Sequence, residues 1–184
     1  MSLPEDGCLR SADNIIIGEK RGISMTVQSG NTSITIAYTD QDPVSLTAEE
    51  MAKLAGSSFP LSSRIAAGTG EAFDFGAWFE AWRGSQGIAP DAPLPTHLKV
   101  EAVDTFEALI PWEQLKDAAV QYAIDGAPLP KGGPIRLYVP HGSSECLNVK
   151  SVVVCKFIHD QEKRGEVSYG FKQTFSAEEM RLKR

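Results

Sequence analysis

Residues 125–140 read DGAPLPKGGPIRLYVP and are the most informative part of this chain. Three prolines and three glycines among the first ten of these residues interrupt both helices and strands, so we expect no regular structure across residues 127–134. The alternating apolar residues of positions 135–139 then predict a strand that ends at Pro140. Residues 151–158 are almost continuously apolar, which predicts a strand buried on both faces. The stretch therefore predicts an irregular loop that leads into a buried sheet.

Other strands are predicted on both sides of this stretch. Alternating or β-branched runs predict short strands, and polar turn residues separate the second of them from the third. These strands lie at residues 14–18, 23–27, 32–38, 98–103 and 106–110, with the turn at residues 28–31. A buried strand followed by a loop is predicted across residues 57–69, and a surface loop is predicted across residues 84–95.

Three helices are predicted from capping and periodicity. Thr47 followed by Glu50 has the form of a capping box, so we expect a helix over residues 48–54. Residues 75–82 carry aromatic side chains at the spacing of one helix face, which predicts a helix whose aromatic stripe lies in the core. A proline at the start of residues 111–119 suits a first helical turn and predicts a helix there.

The composition indicates one globular domain that does not bind nucleic acid. The chain has 184 residues, and 18 basic against 24 acidic residues give a net charge of −6. Nucleic-acid affinity needs a concentrated basic surface, whereas a small anionic ligand needs only a few local cations. No apolar stretch approaches the roughly 20 residues of a membrane span, so no membrane partner is expected. The sequence predicts no oligomeric state.

The cysteines and the chain ends complete this organisation. Cys8, Cys146 and Cys155 form no CxxC pair, which favours a reducing compartment, and we expect a cytoplasmic protein. The domain organisation is expected to be a flexible N-terminus, one domain and a charged C-terminal tail that is at most marginally helical at its end. These segments are residues 1–13, 14–160 and 161–184, and the marginal helix is at residues 177–184.

Residues 125–140, with the later Lys150, Ser151 and Val152, resemble the core signature of the sulfite-oxidase-type molybdopterin-binding domain. In that family the order is N/D-G-x-P-L-P, then G-G/F-P-x-R-L-x-V-P, then a loop and a strand that begins K/R-S/H-V. The resemblance extends over residues 34–160. It implies an α+β fold, with mixed β-sheets and a few short helices in a single domain.

The resemblance also implies a cofactor and the residues that hold it. The cofactor is molybdopterin, the organic part of the molybdenum cofactor, and its phosphate would be bound by Arg136 with Lys131 as a second cation. Gly132, Gly133 and Ser151 would approach the same group, since small residues let backbone N–H groups come close to an anion. We expect Arg136 and Lys131 to border one concave surface. The alternative is that Arg136 points to solvent and the glycines only form a turn.

The chain departs from the family pattern where active members hold molybdenum through a cysteine thiolate. Counting back from Gly76, which resembles the family's helix entry, places that position at Ser62 or Ser63, and residues 14–145 hold no cysteine. A serine hydroxyl is a poor replacement because a thiolate is a softer ligand with a far lower pKa. We expect Ser62 or Ser63 to open into the pocket, and Cys146, in an extended loop, is an alternative metal ligand.

Two hypotheses about function follow. In the first, the chain is a short, divergent molybdopterin-dependent oxidoreductase that performs oxygen-atom transfer or two-electron redox chemistry. In the second, the fold is kept without the cofactor, as a module that binds a small molecule or a protein. Two further departures bear on the choice, since Lys131 stands where sulfite oxidases carry a histidine and Val153 stands where they carry a lysine. The catalytic residues are not predicted.

Overall fold

The computed structural model of the chain describes residues 32–39 and 41–172. Several of the predictions therefore lie outside the described residues. They are the flexible N-terminus with Cys8, the strands at 14–18 and 23–27, the turn at 28–31 and the marginal helix at 177–184.

The described residues form eleven strands and two α-helices. The strands are β1 (Ile34–Tyr38), β2 (Val44–Leu46), β3 (Ser58–Pro60), β4 (Glu71–Asp74), β5 (His97–Ala102), β6 (Phe106–Pro111), β7 (Ala119–Ile124), β8 (Ala127–Pro128), β9 (Ile135–Tyr138), β10 (Val149–Ile158) and β11 (Ser168–Phe171). The helices are α1 (Ala48–Ala55) and α2 (Phe75–Ser85). Short 3₁₀ turns occupy Leu61–Ser63, Trp112–Leu115 and Glu145–Leu147.

All described strands belong to one mixed sheet. Its main path runs β11, β6, β5, β10, β9, β7, β4, β3, while β1 pairs with β10 and β2, and β8 pairs with β7. Within the described ranges the only parallel pair is β1 with β10, and the other pairs are antiparallel. The α+β class predicted from the sequence is therefore confirmed. In the described part of the chain, neither helix has the length and apolar character needed to cross a membrane.

Both helices begin as their sequences predict. The Thr47 side chain accepts a hydrogen bond from the Glu50 N–H, and the Glu50 carboxylate accepts one from the Thr47 N–H, which is a complete capping box. Gly56 ends α1 with a φ of 77°, a left-handed conformation that glycine adopts without steric cost. The Asp74 carboxylate caps α2 by accepting from the Ala77 N–H at 2.7 Å.

The main core lies between α2 and the second half of β10. Phe75, Trp78, Phe79 and Trp82 are all buried, so the predicted aromatic stripe of α2 is confirmed as core. Phe157 of β10 packs against this stripe, with its ring centroid 4.6 Å from that of Phe79. Aromatic side chains bury large areas and dominate the energetics of such cores. This cluster therefore fixes α2 against one face of the sheet.

The predicted helix over residues 111–119 is wrong. Pro111 ends β6 opposite His97, and only one 3₁₀ turn follows it. Asp117 has a φ of 57°, a left-handed conformation that a helix cannot contain. Ala119 already belongs to β7, which pairs with both β4 and β9. Tertiary pairing of this strand overrides the helical propensity of its alanines.

Three smaller predictions also differ from the structure. The strand expected within residues 57–69 is only β3 at the end of the sheet, with Ser58 and Pro60 exposed instead of buried. β10 is not buried on both faces, because Lys150 and Lys156 are exposed and the sheet presents one main apolar face to the core. The tail expected from residue 161 includes β11, which pairs with β6.

Candidate anion-binding site

Arg136 lies on the face of β9 that points away from the main core. Ile135 and Leu137 belong to the main core, whereas Tyr138 packs into a second, smaller apolar cluster. Because successive side chains of a strand point to opposite faces, Arg136 and Tyr138 share the second face. The candidate site is built on this face and on the loop that precedes β9.

The guanidinium of Arg136 lies directly over Gly132. Its Nη2 donates a hydrogen bond to the Lys131 carbonyl oxygen at 2.7 Å. A Cβ atom added at Gly132 would lie 2.5 Å from Arg136 Nε and 2.6 Å from Nη2, so a larger residue there would displace the guanidinium. Gly132 also has a φ of 69°, which favours glycine. The absence of a side chain at Gly132 therefore lets the Arg136 guanidinium lie against the loop.

Arg136 has unused hydrogen-bonding capacity. Its Nε atom is buried and has no hydrogen-bond partner among the described residues. Within the same residues, neither Arg136 nor Lys131 lies within ion-pairing distance of a carboxylate. A guanidinium carries five N–H donors in a planar fork, and only the bond from Nη2 is made here. The charge of Arg136 is thus not neutralised by the described part of the chain.

Ser151 is held against the same loop by an irregularity in β10. The pairing of β10 with β9 shifts register between Val149 and Val152, and Ser151 has a φ of 55°. The Ser151 N–H donates to the Gly132 carbonyl oxygen at 2.9 Å. Bulges and non-glycine residues with positive φ often re-aim a side chain at functional sites. The irregularity therefore brings Ser151 to Gly132.

Gln121 and Tyr138 form the neighbouring part of the second face. Gln121 is opposite Arg136 in the pairing of β7 with β9, and its side chain is 2% exposed. Its Nε2 donates to the Thr69 carbonyl oxygen at 2.7 Å, and its Oε1 accepts a long hydrogen bond from the Tyr138 hydroxyl at 3.4 Å. Gln121 was missed because no strand was predicted at β7, whereas Tyr138 lies in the strand predicted over residues 135–139 but was not identified as a site residue.

The structure thus brings four predicted residues together, namely Lys131, Gly132, Arg136 and Ser151. Gly133 follows Gly132 in the loop, where an added Cβ would lie 3.3 Å from the Leu129 carbonyl oxygen. Gly133 is therefore needed for loop packing as much as for ligand access. That Arg136 and Lys131 border one concave surface stays a prediction, since the contact between them joins the guanidinium to a backbone carbonyl.

Ser63 has a different position from these four residues. Ser62 and Ser63 are exposed in the 3₁₀ turn after β3 and are not packed against α2. The first residue of that turn, Leu61, lies in the same small apolar cluster as Tyr138. Leu61 thus packs on the face that carries Arg136, but no hydrogen bond joins Ser62 or Ser63 to the described residues of the cluster.

The cysteines do not form a metal centre in the described part of the chain. Cys146 is exposed in a 3₁₀ turn, and its N–H donates to the Ser144 hydroxyl at 3.2 Å. Burial raises the pKa of the Cys155 thiol to about 12, so that side chain stays protonated and is a poor ligand. Among the described residues no three side chains of histidine, cysteine, aspartate or glutamate are grouped to hold a metal ion. Cys146 therefore has no partner ligand there.

Comparisons of the chain with known protein families, with curated proteins and with solved structures give no match. The chemistry of the cluster therefore rests on its own geometry. A partly buried guanidinium, small residues and a strained serine are suited to one phosphate-sized anion, and Lys131 adds a positive charge to the same loop.

Proposed function

We propose that the chain binds the phosphate end of a pterin cofactor of the molybdopterin type at the Arg136 cluster, within a fold of the sulfite-oxidase type. The observation that carries the proposal is the buried Arg136 Nε, beside Gly132 and Ser151, for which residues 32–39 and 41–172 supply no partner. A buried donor that lacks a partner costs free energy, and an anion oxygen would remove that cost.

Each residue of the cluster has a role in this proposal. Arg136 supplies a fork of donors for two oxygens, and Lys131, exposed at the edge of the loop, supplies a second positive charge. Gly132 keeps the space beneath the guanidinium free of a side chain. Ser151 can present its hydroxyl as a neutral donor, because its N–H is already bonded to the Gly132 carbonyl oxygen.

The residues fit the anionic end of such a cofactor and do not fit its metal end. In the family that the chain resembles, the complete cofactor supplies two-electron redox chemistry at molybdenum. The described residues offer serine at the thiolate position and no grouped metal ligands. Hydroxyls bind a soft metal poorly compared with thiolates. We therefore derive no redox step from these residues.

The same donor set favours a second candidate function, a module that binds a small anion without redox chemistry. This candidate needs only the Arg136 cluster, whereas the first also needs the chain to hold a pterin. The two candidates share their anion chemistry and differ in the ligand that the purified protein carries.

The test is the ligand content of the full chain purified from a host that makes the molybdenum cofactor. We expect pterin fluorescence after oxidation, in amounts that approach one pterin per chain, and elemental analysis shows whether molybdenum accompanies it. Pterin without molybdenum is the result expected of residues that can bind the phosphate but offer no grouped ligands for the metal. A folded protein without pterin would contradict the first candidate and leave the anion module.

A variant of the arginine tests the cluster itself. Arg136→Met keeps an unbranched stem and removes the charge, and we expect it to lower pterin content about tenfold or more, since a bidentate arginine contact is worth at least 1.4 kcal/mol. Arg164→Met, at an exposed arginine, is the matched control and leaves the content unchanged. For the second candidate, inorganic phosphate should raise the Tm of the native chain and not that of Arg136→Met.

A further inference from the structure

A second pocket lies at the far end of β10 from the Arg136 cluster. It has a volume of about 410 Å³ and is lined by Tyr38, Thr39, Gln41, Ile88, Ala92, Pro93 and His159. Ile158 follows Ser151 by seven positions in β10, so at a rise of ~3.3 Å per residue the two sites lie roughly 23 Å apart. The volume is in the range of small-molecule sites. The pocket is therefore independent of the anion site.

His159 is held in this pocket by three groups from different segments. Its Nδ1 lies 2.8 Å from the Thr39 hydroxyl, and its Nε2 lies 3.3 Å from the Pro93 carbonyl oxygen. The Tyr38 ring meets the imidazole edge to face at a centroid distance of 5.2 Å. These contacts fix the orientation of the ring although the side chain is exposed to the pocket.

The contacts favour one of the two positions for the imidazole proton. A carbonyl oxygen can only accept, so a hydrogen bond to Pro93 requires the proton on Nε2 of the neutral ring. Nδ1 then has a free lone pair and accepts from the Thr39 hydroxyl. A hydroxyl donating to a histidine whose other nitrogen is held by a carbonyl is the arrangement that activates hydroxyl nucleophiles.

Two further features support a reactive role for Thr39. Its φ is 34°, an unfavourable value for a β-branched residue, and such strain concentrates at functional sites. The Tyr38 hydroxyl is 3.4 Å from His159 Nε2, and with the proton on that nitrogen the tyrosine accepts and keeps its own hydrogen for a ligand. Tyr38 is only 9% exposed, so the surrounding core holds its ring in position.

We propose that Thr39, His159 and Tyr38 form a site for acyl transfer from small uncharged esters, a second activity separate from anion binding. The pocket side chains other than His159 are uncharged, and Ile88, Ala92 and Pro93 provide apolar surface for an acyl group. A charged ester would lose hydration there without gaining an ion pair.

The reaction is balanced without any group other than water. Thr39 Oγ1 attacks the ester carbonyl carbon while its proton passes to His159 Nδ1, and the Tyr38 hydroxyl donates to the carbonyl oxygen as negative charge develops. The carbon–oxygen bond to the alcohol breaks, and the proton on Nδ1 passes to the departing oxygen. Water, deprotonated by the same nitrogen, then attacks the threonyl ester, the bond between the acyl carbon and Thr39 Oγ1 breaks, and the proton on Nδ1 returns to Oγ1 as the acid is released.

The experiment uses the full chain with p-nitrophenyl acetate and p-nitrophenyl butyrate and measures release of p-nitrophenolate. We expect Thr39→Ala and His159→Gln each to lower the protein-dependent rate about 100-fold, because general-base catalysis contributes that much or more. Thr39→Ser keeps the hydroxyl and should retain the activity. Mass spectrometry of the acid-quenched protein should find the acyl group on Thr39.

Matched controls separate this site from unspecific hydrolysis by surface residues. His141→Gln removes an exposed histidine that is bound to Asp117, and Thr105→Ala removes a threonine with a φ of 70°. Neither variant should change the rate. The proposal is overturned if Thr39→Ala hydrolyses the esters as fast as the native chain, or if His141→Gln loses as much activity as His159→Gln. If Thr39→Ala does not fold, His159→Gln and Thr39→Ser carry the test.

Discussion

The two halves of β10 have opposite characters. From residue 154 onward the strand is paired on both sides, with β1 and with β5, and Cys155 and Phe157 point into the core. Before that point its register shifts against both β9 and β5, and Ser151 adopts a left-handed conformation. The regular half packs against the helices, whereas the irregular half carries the candidate anion site.

The difference shows how one strand can serve stability and binding at once. Regular pairing leaves no backbone group free for a ligand, and the side chains of Cys155 and Phe157 are committed to the core. A bulge releases a residue from that constraint at a local cost in free energy. The stabilisation that comes from packing of the second half of β10 can offset this local cost in the first half. Substitutions in the two halves should therefore have separable effects on stability and on binding.

The largest effect is expected in the regular half. Phe157→Ala removes a buried ring at the centre of the aromatic cluster and should lower the free energy of unfolding by about 3–5 kcal/mol. Denaturant unfolding followed by tryptophan fluorescence measures the change. Phe171→Ala, at a phenylalanine that is 64% exposed, should cost less than about 1 kcal/mol. Equal losses for the two variants would mean that the cluster does not carry the stability of this region.

An intermediate effect is expected at Gly132 in the loop against which the irregular half packs. Gly132→Ala forces a left-handed alanine, which costs about 1–2 kcal/mol, and displaces the Arg136 guanidinium as well. Gly126→Ala is a close control, because Gly126 has a similar φ of 73° and an added Cβ would meet nothing. Both variants should lose stability by unfolding measurements, and only Gly132→Ala should also lose binding of inorganic phosphate. Retained binding would show that the position of Arg136 is unimportant.

A smaller effect of opposite sign is expected at Ser151. Ser151→Gly removes the cost of a left-handed serine and should raise the free energy of unfolding by about 1 kcal/mol, while the loss of the hydroxyl weakens anion binding. Thr105→Gly relieves a similar conformation in the turn between β5 and β6 and should stabilise the chain without any change in binding. A Ser151→Gly variant that is less stable than the native chain would contradict this interpretation of the irregular half.

The last effect concerns Cys155 in the regular half, and it is absent at neutral pH and develops only at alkaline pH. Burial raises the pKa of this thiol from an ordinary value of 9.0 to about 12, so the folded state favours the protonated form. The contribution to stability is complete below the unfolded pKa and is lost as the pH rises from about 9 towards 12. Cys155→Ala should flatten that alkaline decline in unfolding measurements.

Thiol labelling at neutral pH gives an independent check of the same burial. In a background that lacks Cys8, the exposed Cys146 should react with a disulfide reagent and Cys155 should react only after unfolding. Reaction of both thiols in the native chain would show that the second half of β10 opens readily.

The sequence predicted those parts of the fold whose signals are local. The capping box at Thr47 and the aromatic stripe of α2 were predictable because each depends on residues within a few positions of one another. β7 was missed because a proline, a short turn and alanines resemble a helix start until the pairing with β4 and β9 is known. The pair Asp125 and Gly126, with φ values of 53° and 73°, links β7 to β8 and was the overlooked hairpin signal.

The candidate site was predictable to a similar extent. A resemblance over a short stretch suggested Arg136, Lys131, Gly132 and Ser151, but Gln121 became visible only through the register of two strands distant in sequence. The contacts of His159 were not predictable either, because they join segments more than a hundred residues apart. Long-range register is set by tertiary pairing, which local patterns do not encode.

The central place of β10 has a consequence for how the chain acquires its structure. Thr35, near the start of the described residues, is paired with Val154, so β1 can pair with β10 only after β10 has been synthesised. During synthesis β1, β5 and β9 would all emerge before the strand that joins them, and their unpaired edges would be open to other chains. Such high contact order predicts slow folding and a need for protection from aggregation until residue 158 has left the ribosome.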